Sequence, residues 1–596
     1  MKKSFLFSAV LAGLMLGSCS SSDDLNGGNT PANQDGNGYV SLSLNLPTRS
    51  GSMSRAENDK FDDGLADEYA VKNGTLLLFE GANEADATFA GAYQLKNLSM
   101  NLVGTTTDNI TTTTKITQKI NNGLSKGTNN FYAIVVLNDN GTLTVDDTNA
   151  TLKVNGVDFP STKKISDLQT LELTKNASDF KTTGFLMMNA PLSSVAGGAS
   201  APTTSATVSV ASKIDKDHIY ATEALAKANS SATIYVERAL AKVDVTASKA
   251  TGNLEDDATV SYTVKGWVLD NTNKKTYYLR NTSNSSEWLS LKTTSTDPTI
   301  TKPYRFVGDD PMEASVNLYR TYWAKDPNYD AKPGTLSDDF NTIGNKKPAS
   351  LKELNTSDYC LENTFTVPQQ NQDVTTRVVI AARIGDKDET FYVVNDNESQ
   401  LLDEDNMKKA VKSAFLNNTD VQAWIKTGLT AGETIGESDL DVTVANTAGN
   451  NQPTVSVNAT GDAKYTSGKA PAVTTDITNI MKAIKVATYE KGISYYPVRI
   501  KHFGDDLTPW KTSETPLPTV SDGAYPSTNQ AANYLGRYGV LRNNWYTIEV
   551  KGIKKLGSPV VPEVTGDPDD ELAAYISVKI NVLSWAKRTQ SAILGQ

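Results

Sequence analysis

The chain has 596 residues, 38% of them hydrophobic, with a formal net charge of −11 at pH 7 and a pI near 5.0. That acidity argues against nucleic acid as a partner, and two cysteines, Cys19 and Cys360, provide no disulfide framework. With two histidines, His218 and His502, a multi-histidine metal site or a histidine-based hydrolase is close to excluded, and nothing implies a cofactor.

Met1–Ser18 has the layout of an export signal, with Lys2 and Lys3 ahead of an apolar core from Phe5 to Leu16. It is short for a membrane span. Leu16-Gly17-Ser18-Cys19 resembles a bacterial lipobox, so Cys19 is the expected lipidation site, acylated by palmitate; the alternative is an ordinary signal with a chance cysteine. Cys19 to Asp24 resembles the acidic surface-export signal of Bacteroidetes lipoproteins. Ser20–Gly38 is Ser, Asp, Asn and Gly and reads as a tether with little to bury. Val40, Leu42, Leu44 and Leu46 then alternate with Tyr39, Ser41, Ser43 and Asn45, the period of a half-buried strand with its polar face outward. Pro47 ends it. Thr48–Ala56 is small and polar around Arg49 and Arg55, a stretch of the kind that proteases cut. An ordinary strand followed by an ordinary loop fits the same residues.

Further along, Thr75–Glu80 and Phe131–Leu137 read as buried strands, the second ended by the turn residues Asn138–Gly141. Ile234–Val245 reads as one closing strand, although its middle would also suit a helix. Glu223–Ala228 is a possible helical turn. A second unit begins near Lys249, with a strand over Ala258–Leu269 and a hairpin of Arg377–Arg383 with Glu389–Val394 about Gly385–Asp388. Two helical inserts are expected, Glu404–Phe415 after a cap at Asp403, and Ile477–Val486. Tyr495–Lys501, Trp545–Ile553 and Ile576–Leu583 complete an all-β pattern of sandwich type.

Several segments resemble the Bacteroidetes fimbrilins, in particular the minor-fimbria (Mfa-type) major subunit of type V pili. They are Val236–Lys242 (VERALAK), Tyr319–Tyr329, Tyr359–Thr364, Tyr495–Gly504, Val540–Val550, Ile553–Gly557 and Ile580–Trp585. None is catalytic; their order and spacing carry the likeness. The resemblance implies two transthyretin-like β-sandwich domains with short helical inserts in the second. The expected layout is a signal peptide over 1–18 and a lipidated tether with a removable first strand over 19–55. The two domains then span 56–248 and 249–596. It further implies a non-enzymatic pilus subunit that reaches the outer membrane as a lipoprotein and serves in adhesion, aggregation or colonisation. An arginine-specific protease cuts after the first strand, and a neighbouring copy fills the vacated groove. Arg55 matches the family's cut best; Arg49 is the rival. The implied partners are copies of the chain, anchor and tip accessory subunits, the protease, and host or bacterial surface receptors, with the fimbrium as the final location.

Ile576, Val578, Ile580 and Val582 alternate as a donor strand requires, and Ile593 and Leu594 add an apolar tail; Pro559–Asp570 ahead of them reads as a linker. The same strand also reads as the last of its own domain. A chain that both receives and donates suits the stalk. The alternatives are an anchor or accessory subunit, and a monomeric glycan-binding lipoprotein with Tyr319, Tyr322 and Trp323 as its aromatic platform. The aromatics, Cys360 and His502 read more simply as core, and Asn138–Gly141 as a hairpin turn rather than a calcium loop.

Overall fold

The computed structural model describes residues 38–46, 66–96, 98, 101–103, 111–120, 129–175, 177–196, 207–283, 285, 306–311, 317–330, 338–502, 535–536, 538–566, 576–583 and 588–589. The chain is all-β, with helices only as short elements and inserts. Its first part contains β1 (Gly38–Leu46), β2 (Gly74–Gly81), β3 (Thr88–Gln94), β4 (Asn101–Val103), β5 (Thr111–Ile120), β6 (Asn130–Leu137), β7 (Met187–Asn189) and β8 (Ala232–Arg238). These lie in one nine-stranded sheet in the order β3-β2-β6-β7-β8-β1-β5-β4, with Ser212–Ile214 paired to β6 off that path. The apolar run of β6 is buried from Phe131 to Leu137, because this strand has neighbours on both edges and packing on both faces. Asn138, Asn140 and Gly141 take positive φ and turn the chain out of β6. The turn closes no hairpin, since the next strand, Leu143–Asp146, pairs with Thr151–Val154 instead. The Asn138 side chain accepts from the Lys72 N–H and donates to the Ala70 and Phe185 carbonyls, which ties that turn to the chain entering β2.

Sequence periodicity reads 234–245 as one strand; the structure has two. The chain changes sheet at Ala239, whose small side chain is fully buried at the crossing. Beyond it come β9 (Leu240–Ala247), β10 (Ser261–Asp270), β11 (Ser357–Leu361), β12 (Arg377–Ile384), β13 (Ile493–Arg499), β14 (Trp545–Ile553), β15 (Ile576–Leu583) and β16 (Arg588–Thr589). One sheet has the order β11-β9-β14-β15-β16, and the facing sheet places β10, β12 and β13 beside Thr251–Asn253. Between them Val243, Val245, Ile548 and Val550 pack with Trp267, Val378, Ile380 and Tyr496, the alternate residues of each strand. β10 kinks at Gly266, where φ is +147° and a Cβ would stand 2.4 Å from the Lys352 carbonyl oxygen, so the bulge admits only glycine.

The expected hairpin about Gly385 does not form. Gly385 does turn, with φ +86°, but Phe391–Val394 leaves the sheet to pair with Val486–Tyr489. Those two strands begin and end the helical insert. It holds α3 (Glu404–Leu416), α4 (Thr419–Lys426) and α5 (Thr475–Ala483) around a core of Met407, Val411, Phe415, Val421, Ile477 and Met481. Asp403 caps α3 as its sequence suggests, accepting from the Asn406 N–H, whereas α5 is capped by Thr474.

Candidate functional site

β1 is a strand with a partner on each side. It runs antiparallel to β5 over all nine residues, from Gly38↔Ile120 to Leu46↔Thr112, and parallel to β8 from Leu42↔Ala232 to Asn45↔Tyr235. Above the β8 stretch, Tyr39 exchanges two main-chain hydrogen bonds with Tyr220, of 2.8 and 2.9 Å. Ser41 gives its N–H to the Ser231 hydroxyl and takes the Ser231 N–H on its carbonyl. Val40, Leu42 and Leu44 are buried in the core of the first part, 0–1% exposed, as their alternation requires. At roughly 1.5–3 kcal/mol each, the three contribute on the order of 5–9 kcal/mol before entropy costs. Leu46 belongs to the strand, but its side chain lies outside the described residues, as do Cys19, Arg49, Arg55, Ile593 and Leu594.

The outward face departs from expectation at one position. Ser41 is 0% exposed; far downstream of α1 (Ala66–Tyr69), α2 (Glu223–Ala228) packs over β1 and β5. Lys115 of β5 reaches up to that helix, its ammonium donating to the Lys227 carbonyl. Ser43 is half-buried, and its hydroxyl is 3.4 Å from that of Ser230.

At the other end of the chain, Ile576, Val578, Ile580 and Val582 lie on β15, which pairs antiparallel with β14 along its length from Ile553↔Ile576 to Trp545↔Leu583. Among the described residues its far edge meets only the two-residue β16. The linker expected over 559–570 is packed at its start: Val560 and Val561 are buried, and the Val561 N–H donates to the Lys346 carbonyl.

A second constellation went unread in the sequence. Glu237 of β8, Arg280, Arg320 of the strand Tyr319–Thr321, Glu362 just beyond β11, and Arg542 just ahead of β14 meet in a buried seam between the two parts of the chain. Arg280 stands 2.7 Å from one Glu362 oxygen and 3.4 Å from Glu237; Arg542 stands 3.1 Å from the other Glu362 oxygen; Arg320 is 3.8 Å from Glu237. Arg280, Arg542 and both carboxylates are 0–1% exposed at the side chain. Burial pushes the Glu237 carboxyl up, against the pull of Arg280, Arg320 and Arg542. Arg542 also donates to Thr276 and to the Tyr277 carbonyl, and Arg280 to the Thr321 carbonyl. Beside this cluster Glu68 of α1, 1% exposed, pairs with Lys242 at 2.9 Å and with the Tyr359 hydroxyl, while its carbonyl accepts from Arg238. Arg238 in turn reaches Asn543. The segment that follows the arginine-bearing stretch is thus fastened at the junction of both parts.

Trp323 and Cys360 are core, and Tyr319 and Tyr322 are half-buried against the Trp323 cluster. Trp323 is 0% exposed and packs edge-on against Phe306 and Phe365. Cys360 is buried, with its thiol pushed up by that burial, and His502 is buried with Nδ1 2.8 Å from the Tyr546 hydroxyl. Asp326, also buried, accepts the Thr364 and Asn328 N–H groups; burial pushes its carboxyl up to about 7 against those bonds, with Glu362 adding to the rise. A carboxyl that holds its proton more tightly folded than unfolded loses stabilising power as pH rises. The chain is therefore expected to lose up to about 1.4 kcal/mol per pH unit between roughly pH 4 and 7, then to level off. Thermal unfolding across that range checks this, with Asp326→Asn flattening the slope.

Residues 487–591, which run from just ahead of β13 past β16, match the family model for the C-terminal part of fimbrillin, major fimbrial subunit protein type IV. The C-terminal part of this chain is similar to that of a fimbrillin. The fimbrillin match takes in β14 and β15, the two strands in question at this end. Among solved structures the chain aligns with a fimbrilin from Porphyromonas gingivalis at 11% identity and TM-score 0.29, covering 93% of this chain and 99% of that one. A cell adhesion protein from Bacteroides eggerthii aligns at 12% identity and TM-score 0.31, covering 95% and 100%. A C-terminally truncated tip fimbrial protein from Porphyromonas gingivalis aligns at 10% identity and TM-score 0.26, covering 92% and 100%. Superpositions this loose carry no weight beside the fimbrillin match. No curated protein sequence matches the chain.

Proposed function

We propose that the chain is a structural subunit of a surface fimbria. It is exported as a lipoprotein held through Cys19, cut after Arg55 or Arg49, and polymerised when the C-terminal strand of another copy fills the slot that β1 leaves. Residues 19–55 are then the removable piece, and the stretches 56–248 and 249–596 the two domains of the working subunit. The observation that carries this reading is the position of β1. It is the first described element, it is inserted between β8 and β5, and its covalent connection to the domains that follow runs through the arginine-bearing stretch. While attached, its effective concentration is near millimolar. A cut removes that advantage, and unpaired edges of β5 and β8 beside an open apolar core take up another strand.

The test is polymerisation on cutting. The chain from Ser20 onward is treated briefly with an arginine-specific protease and run unboiled on a denaturing gel. The expected result is a ladder that needs Arg49 or Arg55 and disappears when Ile576–Gln596 is removed. A clean cut that leaves monomer overturns the stalk role in favour of an anchor or accessory subunit. No cut at either arginine overturns strand exchange altogether and favours a monomeric surface lipoprotein.

A further inference from the structure

Gly38–Leu46 reads GYVSLSLNL, and Ala574–Val582 reads AYISVKINV. Tyrosine, serine and asparagine recur at the same places, Tyr39 and Tyr575, Ser41 and Ser577, Asn45 and Asn581, and the four aliphatic positions coincide. We propose that the strand entering the slot is β15 of a second copy of this chain, in one register. Ser577 takes the place of Ser41, and Ile576, Val578, Ile580 and Val582 take those of Val40, Leu42, Leu44 and Leu46. This rests on the strand-exchange reading above.

The slot itself selects that register. A strand whose aliphatic residues face the core must present one of its alternate residues at position 41, beneath α2. Ser41 is fully buried there, and its N–H and its carbonyl are both bonded to Ser231. The residues of the C-terminal strand available for that place are Tyr575, Ser577, Lys579 and Asn581. A slip by two in one direction puts Tyr575 under the helix, and in the other Lys579; a slip by one turns every aliphatic side chain out of the core. Serine alone repeats the size of the residue now present. In this register Lys579 falls at position 43, which is half-buried, so its stem follows the sheet while the ammonium reaches water. The tail beyond β16 does not meet the same requirement, because Ala592, Ile593 and Leu594 are consecutive rather than alternate.

The slot also offers the strand a partner on each edge. Within its own sheet β15 is paired fully on one edge, to β14, and on the other, among the described residues, only through Asn581 and Val582 to β16. In the slot Ile576–Val582 would face β5 along seven positions on one edge and β8 along four on the other.

Directly opposite antiparallel residues bring Cβ atoms within reach of a disulfide. Ser43 lies opposite Lys115, so Lys579→Cys should cross-link to Lys115→Cys of the neighbouring copy. The variants are made in the chain from Ser20, cut with the arginine-specific protease, oxidised, and run boiled without reductant. The expected yield is about tenfold greater with Lys115→Cys than with Thr113→Cys or Thr117→Cys, the positions that a slip of two residues would bring opposite. Preference for Thr113 or Thr117, or cross-linking from Ala592→Cys in place of Lys579→Cys, overturns the register. A ladder on unboiled gels with none of these cross-links also overturns it while leaving strand exchange standing; absence of any ladder overturns both. In a second arm Ser577→Trp is expected to reduce the ladder about tenfold, since tryptophan cannot lie beneath α2, whereas Lys579→Trp leaves it intact. Equal ladders from the two, at unchanged melting of the uncut chains, overturn the proposal.

Discussion

Glu362→Ala is expected to destabilise the chain by about 3–5 kcal/mol, because it strands two buried guanidiniums at once. Arg280 and Arg542 both lie against the Glu362 carboxylate, and both are 0–1% exposed, so neither can turn to water when it goes. Glu237 does not compensate: it stands 3.4 Å from Arg280, and among the described residues its oxygens accept no hydrogen bond. Glu362→Gln keeps the shape and an acceptor and is expected to cost less. Arg320→Met marks the other limit. Arg320 is at the edge of the cluster, 11% exposed, and its removal leaves two arginines facing two glutamates, so a cost of about 1 kcal/mol is expected. The location makes a further demand on the experiment. The seam draws Glu237 from the nine-stranded sheet and Glu362 and Arg542 from beside the five-stranded one. Losing it should therefore uncouple the two parts, so that urea unfolding of Glu362→Ala by far-UV circular dichroism resolves into two transitions, of which tryptophan fluorescence follows the second part alone, since all seven tryptophans lie beyond residue 248. A single transition at the wild-type midpoint would show the seam to be energetically idle.

The same seam shows what the sequence could and could not convey. The alternation of β1, the apolar run of β6 and the Asp403 cap are local patterns, and each appears in the structure as written. The seam is assembled from residues 237, 280, 320, 362 and 542, and a buried glutamate looks in sequence like a solvated one. The only trace of it was the family likeness, whose segments VERALAK, Tyr359–Thr364 and Val540–Val550 supply Glu237, Arg238, Lys242, Glu362, Arg542 and Asn543. In this chain those segments meet at one junction. Local pattern also misled where two sheets meet. Val236 and Val243 flank a short crossing at Ala239, and nothing in β-branched composition tells one strand from two. Gly385 is a true turn, yet turn chemistry does not say which strand the chain pairs with next. Burial of Ser41 was hidden for the same reason, since its cover, α2, is distant in sequence.

Leu42→Ala is expected to act in opposite directions before and after the cut. In the intact chain Leu42 is 0% exposed between Val40 and Leu44, and truncating it should cost about 2–5 kcal/mol of stability in the first part of the molecule. Once the chain is cut beyond β1, that same loss speeds the strand's departure. A weakening of about 2–5 kcal/mol corresponds to release faster by roughly thirtyfold or more. The slot then opens sooner to the incoming strand, so the variant's ladder should appear earlier than the wild-type's although the uncut variant melts lower. After β1 has gone, both subunits carry the same residues, and their polymers should have the same stability. The contrasting change is on the slot wall. Ile116 of β5 pairs opposite Leu42, is buried, and stays with the subunit after the cut. Ile116→Ala should therefore weaken the uncut chain and the polymer alike. A Leu42→Ala polymer as weak as that of Ile116→Ala would mean that β1 never leaves, and strand exchange would fall with it.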